Sequence, residues 1–469
     1  MINGGNTFDP MSDKTPPSPF AIPNVRRFIA FRVCFNARFY YPVFAVLFLD
    51  FGLTLEQFAL LNAAWAATIV LLEVPSGALA DLIGRRNLLV VAGVLMIAEI
   101  ALLCLAPRGG GQLLFAIFLV NRVLSGMAEA AASGADEALA YDALKRDGRP
   151  EDWGRVLERQ IRYQSLGYVI AMSVGAAVYD PDLLNRLMDG LGLALRFAPE
   201  TTLRFPLFLT LAMAIGALVQ TLGMEDIALD EAPAKTAAGE PVSMIRQTFR
   251  MTWRAGRWIL QTPMALCIIL AGLLFDHVIR VVITLNSQYL RAIHYPEASF
   301  GLIGSGLALM GMVIPKIAER MDGRFTPTSN FFTVAAMAAM GLTGITFFWP
   351  YVGLLPLAML SAVMMFTNFF SSRYLNQITA SEQRATVLSF KGLSYNLAYG
   401  MAGLLYALLL AFLRRHPAIL AAVGDKDLEA LVFEQSFLYL PGYFILMLAV
   451  LIMVARLQLK RHTKPPKTG

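Results

Sequence analysis

Glu73 to Arg86 reads E-V-P-S-G-A-L-A-D-L-I-G-R-R, and this stretch decides the fold. It follows a long apolar run, Phe58 to Leu72, and precedes another, Leu88 to Leu105. A charged cluster wedged between two such runs belongs at a membrane surface. Gly77 and Gly84 suit close backbone approach and a sharp turn. Asp81 is an acid beside the bases Arg85 and Arg86, a ready ion-pair and helix-end contact.

The rest of the chain has the composition of a membrane protein. Of its 469 residues 57% are hydrophobic and 15% charged, against about 45–50% and about 25% in soluble domains. Twelve apolar runs are long enough to span a bilayer as helices. They lie near Phe28–Phe51, Leu55–Leu79, Leu88–Leu105, Leu113–Gly134, Gln164–Tyr179 and Phe205–Met224, then Met264–Leu290, Phe300–Ile317, Phe331–Phe348, Tyr351–Phe370, Thr386–Leu413 and Phe437–Leu457. The fifth is the weakest, because Arg155, Arg159 and Arg162 push its apolar part late. The predicted fold class is an all-α membrane protein of twelve transmembrane helices in two six-helix bundles.

The predicted division is a cytoplasmic tail at 1–27, a first bundle at 28–224, a central loop at 225–258, a second bundle at 259–457 and a cytoplasmic tail at 458–469. The first tail lacks the basic start, apolar middle and cleavage site of a signal peptide. Inside loops carry Lys145-Arg146, Arg246/Arg250/Arg254/Arg257 and Lys460-Arg461, so the positive-inside rule places both termini in the cytoplasm of a plasma (inner) membrane. The central loop ends in a stripe of Arg246, Arg250, Arg254 and Arg257 beside Phe249, Trp253 and Trp258, the pattern of a helix lying on an anionic membrane. Asp180–Arg204 and Arg414–Gln435 are long outside segments expected to hold short surface helices.

A faint repeat relates the halves. L-E-Q-F-A-L-L from Leu55 aligns with E-A-S-F-G-L-I from Glu297, 242 residues on, and the same offset puts Arg38 on Arg280. A-D-L-I-G-R from Ala80 has a degenerate echo in A-E-R-M-D-G-R from Ala318.

Several function classes are excluded or unsupported. The three cysteines, Cys34, Cys104 and Cys267, lie in apolar runs with no metal spacing, and the four histidines form no H-E-x-x-H. No phosphate loop, nucleophile–base set or nucleic-acid stripe is present. No catalytic residue, cofactor, metal or nucleic-acid partner is expected, and the chain is read as a monomer and not an enzyme.

Gly77, Asp81, Gly84, Arg85 and Arg86 resemble G-x-x-x-D-x-x-G-R-[RK], the loop between helices 2 and 3 of the major facilitator superfamily. There it latches the two halves of a secondary transporter. The repeat agrees with that family's pair of parallel six-helix units. The resemblance implies that Asp81 faces the start of span 11, near S-E-Q-R-A-T from Ser381, and that Asp136 and Glu137 pair with Arg85 in the gate. In span 4, N-R-V-L-S-G-M-A-E-A-A-A-S-G places Arg122, Gly126, Glu129 and Ser133 on one helical face. Its R-x-x-x-G resembles the family's span-4 motif, whose arginine serves coupling or substrate binding; the plainer reading is an ion pair bracing the bundle.

Charges inside a membrane cost about 2.5–3.5 kcal/mol each on insertion scales and need partners or a wet cavity. Besides Arg122 and Glu129, candidates for substrate or proton coupling are Arg32, Asn36 and Arg38 in span 1, and Asp276, His277 and Arg280 in span 7. Asn368 in span 10 and Asn396 in span 11 complete the set. Asp276 and Arg280, four apart, either neutralise one another or take part in proton transfer. Glu99 in span 3 receives no role.

The expected function is alternating-access transport of a small molecule across the bilayer, as proton-coupled efflux of small amphipathic molecules by a multidrug-exporter-like antiporter. Two departures count against that subtype: span 5 lacks the G-P-x-x-G-G of many drug exporters, and span 1 lacks a mid-membrane acid. The alternatives are an organic-anion transporter, from the arginines in the spans, and a non-transporting receptor on a transporter fold.

Overall fold

A computed structural model describes residues 18–226, 250, 253–254, 256–379, 381–421 and 427–462, without the side chains of 74, 78, 81, 82, 381–385 and 459–462. Most of the central loop, with Arg246 and Phe249 of its basic stripe, therefore lies outside the described residues, as do most of the first tail and the end of the last.

Among the described residues every regular element is a helix. The first span is broken: α1 (Pro23–Asn36) stops, a 3-10 turn covers Tyr41–Val43, and α2 (Phe44–Phe51) follows. Pro42 lacks an N–H and restrains Tyr41, so a continuous helix cannot pass this point. Next come α3 (Leu55–Ile83), α4 (Arg85–Leu105) and α5 (Gln112–Ala132). Thr54 and Gln57 cap α3 reciprocally. Gly84 separates α3 from α4 at φ +89°, and a Cβ there would also sit 2.1 Å from the Asp226 carboxylate. This glycine both turns the chain and admits a neighbour, as predicted. Gly77 differs: a Cβ there would meet nothing within 4 Å.

The first half continues with α6 (Ala135–Asp147), α7 (Trp153–Tyr179), α8 (Pro181–Gly190) and α9 (Phe205–Gly223). The second half comprises α10 (Pro263–Thr284), α11 (Asn286–Ala292), α12 (Glu297–Leu309), α13 (Ile314–Asp322) and α14 (Pro327–Ile345). It ends with α15 (Leu354–Ile378), α16 (Ser381–Arg414), α17 (Leu428–Phe437) and α18 (Tyr439–His462). Both of the long segments predicted to lie outside contain short helices, α8 in one and α17 in the other.

Eleven helical stretches among the described residues are long and apolar enough to cross a membrane. The predicted fifth span is α7. Its 27 residues reach about 40 Å, but its first turns carry Arg155, Glu158, Arg159 and Arg162. Arg155 pairs with Asp152 and Arg162 with Glu158, so the charged turns are locally neutralised.

The repeat is visible in the helices. α2 and α11 begin 242 residues apart, and so do α3 and α12. Ala45 and Ser287 stand at the same offset and touch: the Ala45 N–H donates to the Ser287 hydroxyl at 3.0 Å. A position meets its own counterpart only near the axis relating the two halves.

The largest buried apolar cluster crosses both halves, from Val46, Phe48, Phe51 and Phe58 to Leu285, Tyr289, Phe433 and Phe437. A second is confined to the first half, around Phe28, Phe31, Leu88 and Leu139. The halves thus share a core toward one end only. The facing helices α7 and α12 show the same asymmetry. They meet at Gly301, where a Cβ would lie 2.0 Å from the Met172 carbonyl oxygen. Beyond that crossing Ile161, Tyr163, Leu166, Leu309, Met312 and Val313 are exposed.

Candidate functional site

Polar contacts between the halves lie where an odd-numbered span ends or an even-numbered one begins, which places them at the end away from the termini. Arg291, at the end of α11, donates to both oxygens of Asp50 at 2.8 and 2.7 Å, and to Glu297 at 2.9 Å. The Tyr179 hydroxyl also donates to Asp50. Burial works against the Arg291 charge, but the hydrogen bonds and charge of Asp50 outweigh it and hold the guanidinium above its ordinary range. Asp180 accepts from the Ala298 N–H at 3.1 Å. Arg414 reaches Glu56 across the seam at 2.8 Å and also pairs with Glu429. Sequence reasoning missed this latch. The one available signal was that Asp50 and Arg291 sit 241 residues apart, one short of the repeat offset.

At the opposite end the loop motif binds within its own half. Arg85 pairs with Asp142 of α6, not with Asp136 or Glu137 as expected. Those two acids, on the first turn of the same helix, engage Arg32 at 3.2 and 3.1 Å. The reason is the turn at Ser133–Gly134, where Gly134 has φ +75° and precedes a new helix, so the helical phase of α5 does not carry into α6. Asp136 and Glu137 then face α1, and Asp142, nearly two turns on, reaches the Arg85 loop. Arg86 donates to the carbonyls of Met224 and Leu222 at 2.7 and 2.9 Å, capping the end of α9. The side chains of Asp81 and of its expected partner segment, 381–385, are not among those described.

The centre is built on α5. Gly126 lets α5 press against α3, since a Cβ there would lie 2.8 Å from Thr68 Cβ. That approach sets Trp65 beside Arg122. The buried Arg122 guanidinium stands over the Phe44 and Trp65 rings, 5.3 Å from each centroid. No carboxylate lies within ion-pair distance of it among the described residues, and its Nε has no hydrogen-bond partner. The ion-pair bracing reading is therefore replaced by a cation held between aromatic faces.

Across the seam Arg280 pairs with Asp276 at 2.7 Å and donates to Asn396 at 2.9 Å. Its guanidinium lies 5.2 Å from the Tyr399 ring, and the Tyr399 hydroxyl meets Thr284 at 3.0 Å. His277 points elsewhere. The Leu273 carbonyl can only accept, so Nδ1 carries the hydrogen and donates it to that oxygen, 2.6 Å away. The Nε2 atom lies 2.9 Å from the Tyr443 hydroxyl of α18 and accepts from it when the ring is neutral. His277 opens on an outer cavity of about 520 Å³ between α10, α16 and α18, not on the centre.

The other candidates divide. Arg38, 2% exposed, pairs with Glu99, 0% exposed, and approaches Glu129 at 3.5 Å. Asn36 bonds the carbonyl of Arg32 in its own helix. Asn368 is exposed and is not brought to this group by any hydrogen bond among the described residues. No group of three or more metal-ligating side chains occurs among the described residues.

The family model described as Major Facilitator Superfamily matches residues 28–403. No match was found among curated proteins. Among solved structures, the nucleoside transporter NupG superposes with a TM-score of 0.69 at 10% identity, over 93% of this chain and 99% of that one. A bacterial homolog of the human lysosomal transporter Spinster, in an inward-facing and unoccupied conformation, gives 0.68 at 14% identity, over 95% and 98%. A D-xylose–proton symporter gives 0.59 at 14% identity, over 91% and 97%.

Proposed function

The chain belongs to the Major Facilitator Superfamily, an integral multi-pass membrane protein, and from that membership we propose that it is a secondary transporter working by alternating access. The observation that carries this reading is the one-sided seam. The halves are latched by Asp50–Arg291 and Glu56–Arg414 at one end and splay beyond Gly301 toward the other. With the termini in the cytoplasm of the plasma membrane, this is the inward-open state of a monomer. Rocking about the Ala45–Ser287 axis exposes the centre to the other side.

The substrate we assign is a small amphipathic molecule, exported in exchange for protons. Its apolar part would rest on Phe44, Trp65 and Tyr399. Liposomes carrying the purified protein and an imposed pH gradient test this with a panel of lipophilic cations and organic acids. Flux abolished by Asp81→Ala, in protein that still reaches the membrane, supports transport and the gate assignment of Gly77, Asp81, Gly84, Arg85 and Arg86. Specific binding without flux of any solute sinks transport in favour of a receptor.

A second reading, carriage of an organic anion, is favoured by Arg122. The cations Arg32, Arg38 and Arg280 all have carboxylate partners, and Arg122 has none among those described. Organic acids that raise the melting temperature of wild type but not of Arg122→Gln would move the assignment there.

A further inference from the structure

Three charged side chains from three parts of the first half converge below the centre. Arg38 comes from the break between α1 and α2, Glu99 from the middle of α4 and Glu129 from α5. Arg38 donates to one oxygen of Glu99 and stands 3.5 Å from Glu129. The second oxygen of Glu99 is buried without a hydrogen-bond partner. Beside it Asn121 donates to the Glu99 carbonyl at 2.8 Å, while its own Oδ1 is unpartnered. The site has acceptors to spare and one guanidinium to serve them.

Charge accounting decides its state. One guanidinium against two carboxylates leaves one negative charge in the membrane interior, which costs several kcal/mol unless compensated. Arg32 and Arg122 act on Glu129 only from beyond ion-pair distance, each held by other groups. Arg32 is engaged by Asp136 and Glu137 of α6. Arg122, on the same helix as Glu129, is held between Phe44 and Trp65 and pairs with neither acid. Tyr40 and Tyr41 follow Arg38 in the chain and are neutral hydroxyls. On α3, Glu56 is taken by Arg414, and Glu73 forms no ion pair with the group among the described residues. A single proton restores neutrality. Glu99 is sealed, whereas the Glu129 side chain is 36% exposed and is the more distant from Arg38.

We infer that Arg38, Glu99 and Glu129 form a one-proton binding site, in which Glu99 is the fixed counter-ion of Arg38 and Glu129 is the carboxyl that takes up and releases the coupled proton. The inference rests on the secondary-transport reading and adds where its proton is carried. On release the proton passes from a Glu129 oxygen to water in the crevice. The resulting carboxylate competes with Glu99 for Arg38, drawing α5 toward the break at 37–43, a segment outside any α-helix. Arg122 lies two turns along the same face of α5, so the pull reaches the centre.

The test needs no solute. Infrared difference spectra of the full-length protein in nanodiscs are recorded between about pH 5 and about pH 8. A protonated-carboxyl band that disappears on alkalinisation is expected, lost completely in Glu129→Gln and kept in Asp276→Asn and Glu137→Gln. Glu129→Asp retains a carboxyl, so the band persists at a shifted frequency. In Glu99→Gln, Arg38 has only Glu129 to hold and keeps it ionised, so the band leaves this pH range. A band unchanged in Glu129→Gln, or lost in Asp276→Asn, overturns the inference. Flux in liposomes with a band indifferent to Glu129→Gln would sink the proton site and leave transport standing. A band lost in Glu129→Gln, with no flux of any solute, would do the reverse.

Discussion

Arg291 and Asp50 form a two-pronged ion pair across the seam, with both terminal nitrogens of the arginine on both oxygens of the acid. Such paired geometry fixes orientation as well as distance. Asp50→Asn keeps the shape and removes the charge, leaving Arg291 with Glu297 alone. Closure of that end should weaken by about 1–2 kcal/mol, roughly a tenfold shift between the two states. Spin labels on the exposed Leu187 and Leu355, one in each half, report the change as a longer distance population. An unchanged distribution would remove this pair from the latch.

Gly301 holds the same seam by an apolar route. Its missing side chain allows α12 to lie against the Met172 carbonyl, and a Cβ would come within 2.0 Å of that oxygen. Because backbone, not a flexible side chain, is in the way, Gly301→Ala must push α7 and α12 apart. The same label pair should lengthen as it does for Asp50→Asn. Unlike the Asp50 effect, this one should not vary with salt, since no charge is involved.

The pairing of acids and bases follows from which helix faces turn toward each other, and this limited what the residues alone disclosed. Asp276 and Arg280 were legible because four residues bring them together on one helix. The fold was legible through run lengths and through the 242-residue offset that ends in the Ala45–Ser287 contact. Arg32–Asp136, Arg38–Glu99 and Arg85–Asp142 join different helices. Runs that are apolar all round give little sign of which face is inside. Glu99 shows the consequence: it received no role from the residues alone, yet α5 and α9 pack against α4 and the acid is completely buried. Asp142 was missed because nothing in the sequence marks Gly134 as a break between two helices.

Arg85 supplies a discriminating pair of substitutions. It binds Asp142, while Glu137 binds Arg32. Asp142→Asn should therefore reproduce the transport defect of Arg85→Gln, and the double variant should be little worse than either alone. Glu137→Gln should leave Arg85 undisturbed and add independently. Uptake rates in liposomes for the two double variants check this. Additivity of Arg85→Gln with Asp142→Asn would show that the contact does not serve the gate.

Arg122 depends on the shape of its side chain as well as its charge. A planar guanidinium lies flat between two rings, whereas an ammonium is a compact point charge that prefers water. Each ring contact contributes about 0.5–2 kcal/mol according to its dryness. Arg122→Lys keeps the positive charge and loses the stacking on Phe44 and Trp65. It should lower the melting temperature and shift Trp65 emission, most cleanly in a variant with Trp65 as its sole tryptophan. Arg122→Gln removes the charge as well. If charge alone matters at the centre, Lys will behave as wild type and Gln will not. If the aromatic clamp positions the cation, both will lose ligand stabilisation, and Trp65→Leu will lose it too while Arg122 remains in place.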